Sequence, residues 1–217
     1  MGAFSTFLDI LFPPRCVFCR RFLRSSRQLI CDDCLHTLPY TQGGGEKTGE
    51  FFSLCIAPLY YEGDVRESLH RYKFKGATGY SKAYGRLLAE CIREHLSGRY
   101  DLISWVPLSR NRLNERGYDQ SMLLALATAL ELDDVAVSTL EKPLEAEKQS
   151  LMGSAEKRRA NISGAYRAVD PVLVDGKRIL LIDDIVTTGS TLSECAKTLL
   201  SAGASEILCA VVARTRD

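Results

Sequence analysis

The sequence predicts an α/β fold, a mainly parallel sheet with helices on both faces, preceded by a small cysteine-bearing module. Three observations predict it. Strand-like and helix-like patterns alternate from residue 51 onward. The apolar run Ile179-Leu-Leu-Ile182 leads directly into Asp183-Asp184 and a turn of small residues. Two Cys-x-x-Cys pairs occupy a segment with too little apolar mass for a core of its own. A chain of 217 residues buries one sizeable core with room for such an appendage. The expected division is a module over residues 1–40, a connection over 41–50 and a main domain over 51–217.

Taking the chain in order, Phe4, Phe7, Leu8 and Leu11 recur at helical spacing, which predicts a short amphipathic helix packed on the protein itself. No basic leader precedes it, Asp9 interrupts its apolar stretch and Pro13-Pro14 ends it, a pattern that fits neither a signal peptide nor a membrane span. The expected location is cytoplasmic. Residues 41–49, with four glycines among polar residues, read as a flexible connection. Residues 51–61 read as a strand, 79–96 as a helix with Tyr84, Leu87, Leu88, Cys91 and Ile92 on one stripe, and 102–106 as a buried strand ending at Pro107. A helix at 121–130 follows, then a short strand at 136–139 and a charge-rich loop with some helix at 145–163. The pattern ends in a central strand at 178–182, a helix at 191–202 closed by Gly203, and a last strand at 206–213.

Formal net charge is +1, so overall charge neither selects nor excludes a polyanionic partner, and only the clusters at residues 20–27, 110–116 and 157–159 carry weight. Cys16-x-x-Cys19 and Cys31-x-x-Cys34, separated by eleven residues, make two knuckles that place four thiolates on one tetrahedral ion. Zn2+ suits a closed structural site; iron shares the ligand preference, and a thioredoxin-like redox pair or a disulfide pair is the competing reading. The lack of an export signal favours the metal. His36, just after the second knuckle, reads as a cap or packing residue. Cys55, Cys91, Cys195 and Cys209 lie in apolar patterns and read as buried small hydrophobes. Arg15, Arg20, Arg21, Arg24 and Arg27 crowd the module, either as a solvated surface or as contacts for nucleic-acid phosphates.

The chemistry is expected at residues 179–191. Asp183 and Asp184 stand at the C-terminal end of a parallel strand, where ligands bind in open α/β sheets. Thr187, Thr188, Gly189, Ser190 and Thr191 follow, and their amides and hydroxyls suit a phosphate. Gly189 is free to take a positive φ, and the next helix aims its positive end at the same anion. Ionised carboxylates accept hydrogen bonds, so the acid pair suits the 2- and 3-hydroxyls of a ribose while the loop takes its 5-phosphate. The alternative is a strand end and a capped turn with no ligand. The predicted ligand is a sugar phosphate, foremost 5-phosphoribosyl-1-diphosphate.

This Asp-Asp-x-x-Thr-Thr-Gly-x-Thr sequence resembles the 5-phosphoribosyl-1-diphosphate loop of type I phosphoribosyltransferases. The likeness extends to Trp-Val-Pro-Leu-Ser-Arg-Asn-Arg-Leu-Asn-Glu-Arg-Gly-Tyr-Asp-Gln at 105–120, to Tyr72-Lys-Phe-Lys-Gly76, and to Gln149, Arg158, Arg159, Asn161 and Gly164-Ala-Tyr166. Together these are similar to the ComF/GntX group of phosphoribosyltransferase-like proteins, which also carries an N-terminal zinc-ribbon-like segment. The resemblance implies a Rossmann-like type I fold, Asp183 and Asp184 as the catalytic acids, Mg2+ with the diphosphate, and a link to competence, transformation and the use of external DNA. It makes Arg110, Arg112 and Arg116, after Pro107, donors to the diphosphate, unless they are a solvated surface run. Lys73 and Lys75, alternating along an extended segment, share a face and add to that site. Residues 142–161 supply a hood in which Lys157, Arg158 and Arg159 close over the diphosphate. Two positions depart from the pattern. Lys-x-Thr-x-x-x-Gln is not cleanly present near Lys148-Gln149, and Asp119 stands where Asn is expected before Gln120.

Two functions follow. One is an enzyme that transfers the phosphoribosyl group to a base or another nucleophile and releases diphosphate, with only positional candidates for a base pocket in Tyr118, Tyr166 and Arg214. The other is a module that holds 5-phosphoribosyl-1-diphosphate or a related nucleotide as a signal and binds single-stranded DNA, with competence or DNA-processing proteins as partners. A transcription regulator on this fold needs a helix-turn-helix segment where the cysteine module stands, and is set aside.

Overall fold

The computed structural model describes residues 13–143 and 165–216. The expected N-terminal helix, the loop at 145–163 and with it Lys157, Arg158 and Arg159 lie outside the described residues. In chain order the elements begin with α1 (Asp32–Thr37), β1 (Leu54–Ile56), β2 (Leu59–Tyr60), α2 (Gly63–Phe74), α3 (Tyr80–His95) and β3 (Leu102–Trp105). Then come α4 (Arg110–Arg116), α5 (Gln120–Glu131), β4 (Leu140–Glu141), β5 (Arg167–Ala168) and α6 (Pro171–Val174). β6 (Arg178–Val186), α7 (Ser190–Ser201) and β7 (Glu206–Arg214) complete it.

Strands β1, β7, β6 and β3 lie side by side in that order, all parallel, and β2 continues the β1 edge along β7. The near-continuous apolar runs of β6 and β7 follow from burial on both faces. Leu180, Ile182, Leu208, Ala210 and Val212 point into one core with α2, α3, α5 and the cysteine module, while Ile179, Leu181, Ile207, Cys209 and Val211 point into a second core under α7. Asp184 continues the phase of Leu180 and Ile182, so its carboxylate emerges on the α2 and α5 side. Helices α3 and α5 approach closely at Gly85, where a Cβ would stand 2.8 Å from the Ala127 carbonyl carbon. Cys55, Cys91, Cys195 and Cys209 are buried, as their apolar surroundings predict.

Several elements differ from expectation for local reasons. The expected strand at 51–61 breaks at Pro58, which has no N–H for the ladder, and Ala57 instead bonds to Gly44 and Thr41. The short strand at 136–139 reduces to one bridge between Ile103 and Ala136. Lys73 and Lys75 do not alternate along an extended segment. Lys73 is in the last turn of α2, a helix whose buried Val65, Ser68, Leu69 and Tyr72 have helical spacing, and Lys75 follows the helix end. The glycine-rich connection is packed: Gly44 and Gly45 are buried, Lys47 pairs with Cys55, and the buried Arg214 donates to the carbonyls of Gly45 and Glu46. The cysteine module shares the first core through Val17, Phe18, Leu23 and Leu38. Among the described residues no helix is long and apolar enough to cross a membrane.

Candidate functional site

The site forms where β6 ends. Asp184 is 3 % exposed, and its Oδ1 lies 2.9 Å from Lys73 Nζ, which reaches it from α2. Its other oxygen, Oδ2, is buried with no hydrogen-bond partner among the described residues. That orphaned acceptor suits a ligand hydroxyl or a hard, oxygen-seeking cation, so the donor set fits Mg2+. Asp183 accepts from Ser121 Oγ at 2.8 Å and from the Asp184 N–H at 2.9 Å. Desolvation first, and then the neighbouring Asp184 charge, push the Asp183 carboxyl up to about 7. The unfolded chain releases that proton near pH 3.8 and the native one near 7, so this group's contribution lowers stability as pH rises between them. We expect Asp183→Asn to remove that slope from a pH series of urea denaturation; parallel profiles for variant and wild type would count against a protonated Asp183.

After the strand, Gly189 takes φ +84° and caps the N-terminus of α7, turning the chain so that Thr187, Thr188, Ser190 and Thr191 surround a small recess. The Ser190 N–H donates to Thr188 Oγ1 at 3.3 Å, and Lys47 Nζ holds the Thr187 carbonyl at 3.0 Å.

Beside the acids lies a polar cavity of about 290 Å3, lined by Lys73, Arg112, Arg116, Lys142, Ser121 and Tyr166 among others. Helix phase explains which arginines face it. At 100° per residue Arg112 and Arg116 share a face of α4, whereas Arg110 points away from both and does not line the cavity. Lys75 does not line it either. Arg116 is further held by Gln120 Oε1 at 2.9 Å and lies 4.7 Å from the Phe74 ring centroid.

In the cysteine module the four thiol sulfurs of Cys16, Cys19, Cys31 and Cys34 lie within 4.8 Å of one another. Zinc–sulfur bonds of about 2.3 Å place tetrahedral sulfurs roughly 3.8 Å apart, and Cys19 and Cys31 are 3.6 Å apart. The Cys31 N–H donates to Cys16 Sγ at 3.4 Å, as metal-bound thiolates require of their surroundings. The residues present fit a closed tetrathiolate site.

Residues 121–217 match the phosphoribosyl transferase domain, and residues 7–52 match the double zinc ribbon domain. Over 214 residues the chain is 29 % identical to competence protein F of Haemophilus influenzae, covering 89 % of this chain and 93 % of that one. It is 29 % identical to the DNA utilization protein YhgH of Escherichia coli K12, with 92 % and 90 % covered, and 27 % identical to competence protein ComFC of Streptococcus pneumoniae, with 87 % and 77 % covered. The chain thus joins a phosphoribosyl transferase domain to a double zinc ribbon and is similar over most of its length to competence protein F, ComFC and YhgH, as the ComF/GntX resemblance implies. In this chain the cysteine cluster is a structural zinc site on a zinc ribbon.

Asp119, which departs from the family pattern, acts locally. Its two oxygens accept from the N–H groups of Met122 and Leu108, each at 3.0 Å, capping α5 and tying down the loop before α4. Of the three positional candidates for a base pocket, only Tyr166 lines the cavity. Tyr118 donates instead to the Tyr72 carbonyl, and Arg214 to the connection. The sequence places Lys142 at the start of the hood and Ser121 at the start of a helix, without marking either as a site residue. Lys142 follows directly on β4 and lies 5.1 Å from the Tyr166 ring centroid; its place just after a strand end was the available signal.

Proposed function

We propose that the chain binds 5-phosphoribosyl-1-diphosphate with Mg2+ at the end of β6 and serves competence, transformation or the use of external DNA as a cytoplasmic phosphoribosyltransferase-like protein. The observation that supports this is the convergence on one cavity of Asp183 and Asp184 with Lys73, Arg112, Arg116 and Lys142. Residues 187–191 take the 5-phosphate, the acid pair takes the ribose hydroxyls, and the four cations take the diphosphate, with guanidinium forks matched to phosphate oxygens. Mg2+, when bound, neutralises charge on the diphosphate. In a transfer, the bond from ribose C1 to the diphosphate oxygen breaks and one from the acceptor to C1 forms. Positive charge then builds on C1 beside the carboxylates and negative charge on the leaving group beside the cations. The names of the relatives, competence protein and DNA utilization protein, support the biological assignment.

A second reading, a single-stranded-DNA module that uses the pocket as a sensor, is favoured by two exposed aromatics under guanidinium groups. Phe22 is 61 % exposed with Arg15 at 4.0 Å, and Phe74 is 58 % exposed with Arg116 at 4.7 Å. Such pairs offer stacking surfaces beside positive charge. One set of assays separates the readings. Diphosphate release with any of a panel of nucleobases supports transfer; oligothymidine binding that changes with 5-phosphoribosyl-1-diphosphate, without release, supports the module. Absence of both release and ligand-dependent binding would refute the two together.

A further inference from the structure

Helix α2 touches both the metal module and the acid pair. On one side Ser68, fully buried, donates from Oγ to the Val17 carbonyl at 2.6 Å, and Arg71 Nη2 donates to the carbonyls of Val17 and Phe18 at 3.0 and 2.7 Å. Val17 and Phe18 are the two residues between Cys16 and Cys19, so the ion that joins those thiolates also fixes where their carbonyls point. Two residues along, about 3 Å of helix rise, Lys73 makes the ion pair with Asp184. The next contacts lock the same helix against α5: Tyr72 donates to the Gln120 carbonyl at 2.7 Å.

From this chain of contacts we propose that metal in the cysteine module and ligand in the cavity bind cooperatively through α2, with Arg71 as the positioning residue. The inference rests on the ligand reading above. Arg71 is half-buried and its Nε is already buried without a partner among the described residues, so losing both carbonyls leaves the guanidinium without the acceptors that hold it, and it must move towards solvent. Helix α2 moves with it, Lys73 leaves Asp184, and Asp184 is left with neither oxygen partnered inside the pocket. The cavity then loses a cation and the fixed geometry of its buried acid. Linkage is reciprocal: ligand that holds Lys73 and Asp184 in place steadies the knuckle and tightens the metal by the same factor.

The experiment uses full-length, zinc-loaded protein and measures zinc affinity by chelator competition, with and without saturating 5-phosphoribosyl-1-diphosphate in excess Mg2+. Asp183→Ala/Asp184→Ala reports chelation by free ligand. In wild type the ligand should tighten zinc about fivefold or more. In Arg71→Met that factor should fall towards one while ligand binding heat is still measurable. Arg71→Lys, whose single ammonium lacks the planar fork, should fall between, and it carries the comparison if Arg71→Met does not fold. Wild-type zinc affinity unchanged by bound ligand, or an undiminished factor in the Arg71 variants, overturns this inference alone. Failure of zinc-loaded wild type to bind the ligand at all overturns the ligand reading, and this inference with it.

Discussion

Stripping the metal from the cysteine module lowers the melting temperature of the whole chain, in one transition, by roughly 10 to 20 °C. The reason is that the module has no core of its own. Val17 is 4 % exposed, Phe18 1 % and Leu38 7 %, and all three lie in the cluster that also holds Leu69 and Tyr72 of α2 and Tyr84, Leu88 and Ile92 of α3. Without an ion joining Cys16, Cys19, Cys31 and Cys34, the two knuckles are left to a few hydrogen bonds, such as Val17 N–H to the Leu29 carbonyl and those from Ser68 and Arg71 to the Val17 and Phe18 carbonyls, and these side chains lose their seats. Exposing three such residues costs on the order of 5 kcal/mol, and each kcal/mol is about 2 to 4 °C for a chain of this size. Scanning calorimetry with and without chelator checks it, with Cys16→Ser/Cys34→Ser as the covalent equivalent. A chelated protein that melts where the metal-bound one does would show the module to be an independent passenger.

Gly189→Val weakens binding of 5-phosphoribosyl-1-diphosphate by at least about tenfold, or roughly 1.4 kcal/mol. At φ +84° the chain is in the left-handed region, which a β-branched residue occupies only at a cost of about 1 to 2 kcal/mol. Space is not the obstacle, since a Cβ there would stand 3.5 Å from the Phe52 ring in ordinary contact. The backbone must turn, and the amides at the start of α7 turn with it, away from the recess ringed by Thr187, Thr188, Ser190 and Thr191. Thermal melting should fall only by the conformational cost, so affinity and stability separate. Wild-type affinity in Gly189→Val would contradict the phosphate role of this turn.

What could be read from the sequence was whatever is contiguous in it. The apolar run, the acids, the small-residue turn and the start of α7 follow one another along the chain, and the parallel sheet buried on both faces explains why that run does not alternate. The two cysteine pairs are local in the same sense. The cations were harder, because which of them face the cavity depends on helix phase and on tertiary placement. Arg112 and Arg116 line it and Arg110 does not; Lys73 reaches Asp184 and Lys75 does not, because α2 is a helix rather than an extended segment. Lys142 and Tyr166 come together only through the β4 and β5 pairing. The glycines of residues 43–45 read as part of a flexible connection, but that two of them pack against His95 and the Ala57 carbonyl is decided by partners distant in sequence.

The central claim is that the end of β6 holds 5-phosphoribosyl-1-diphosphate, and calorimetric titration of that ligand with Mg2+ into wild type and Asp183→Ala/Asp184→Ala tests it most directly. Wild type should bind with saturable heat, and the double variant, folded by its circular dichroism, should show none at the same concentrations. Equal binding by the two proteins would contradict the account.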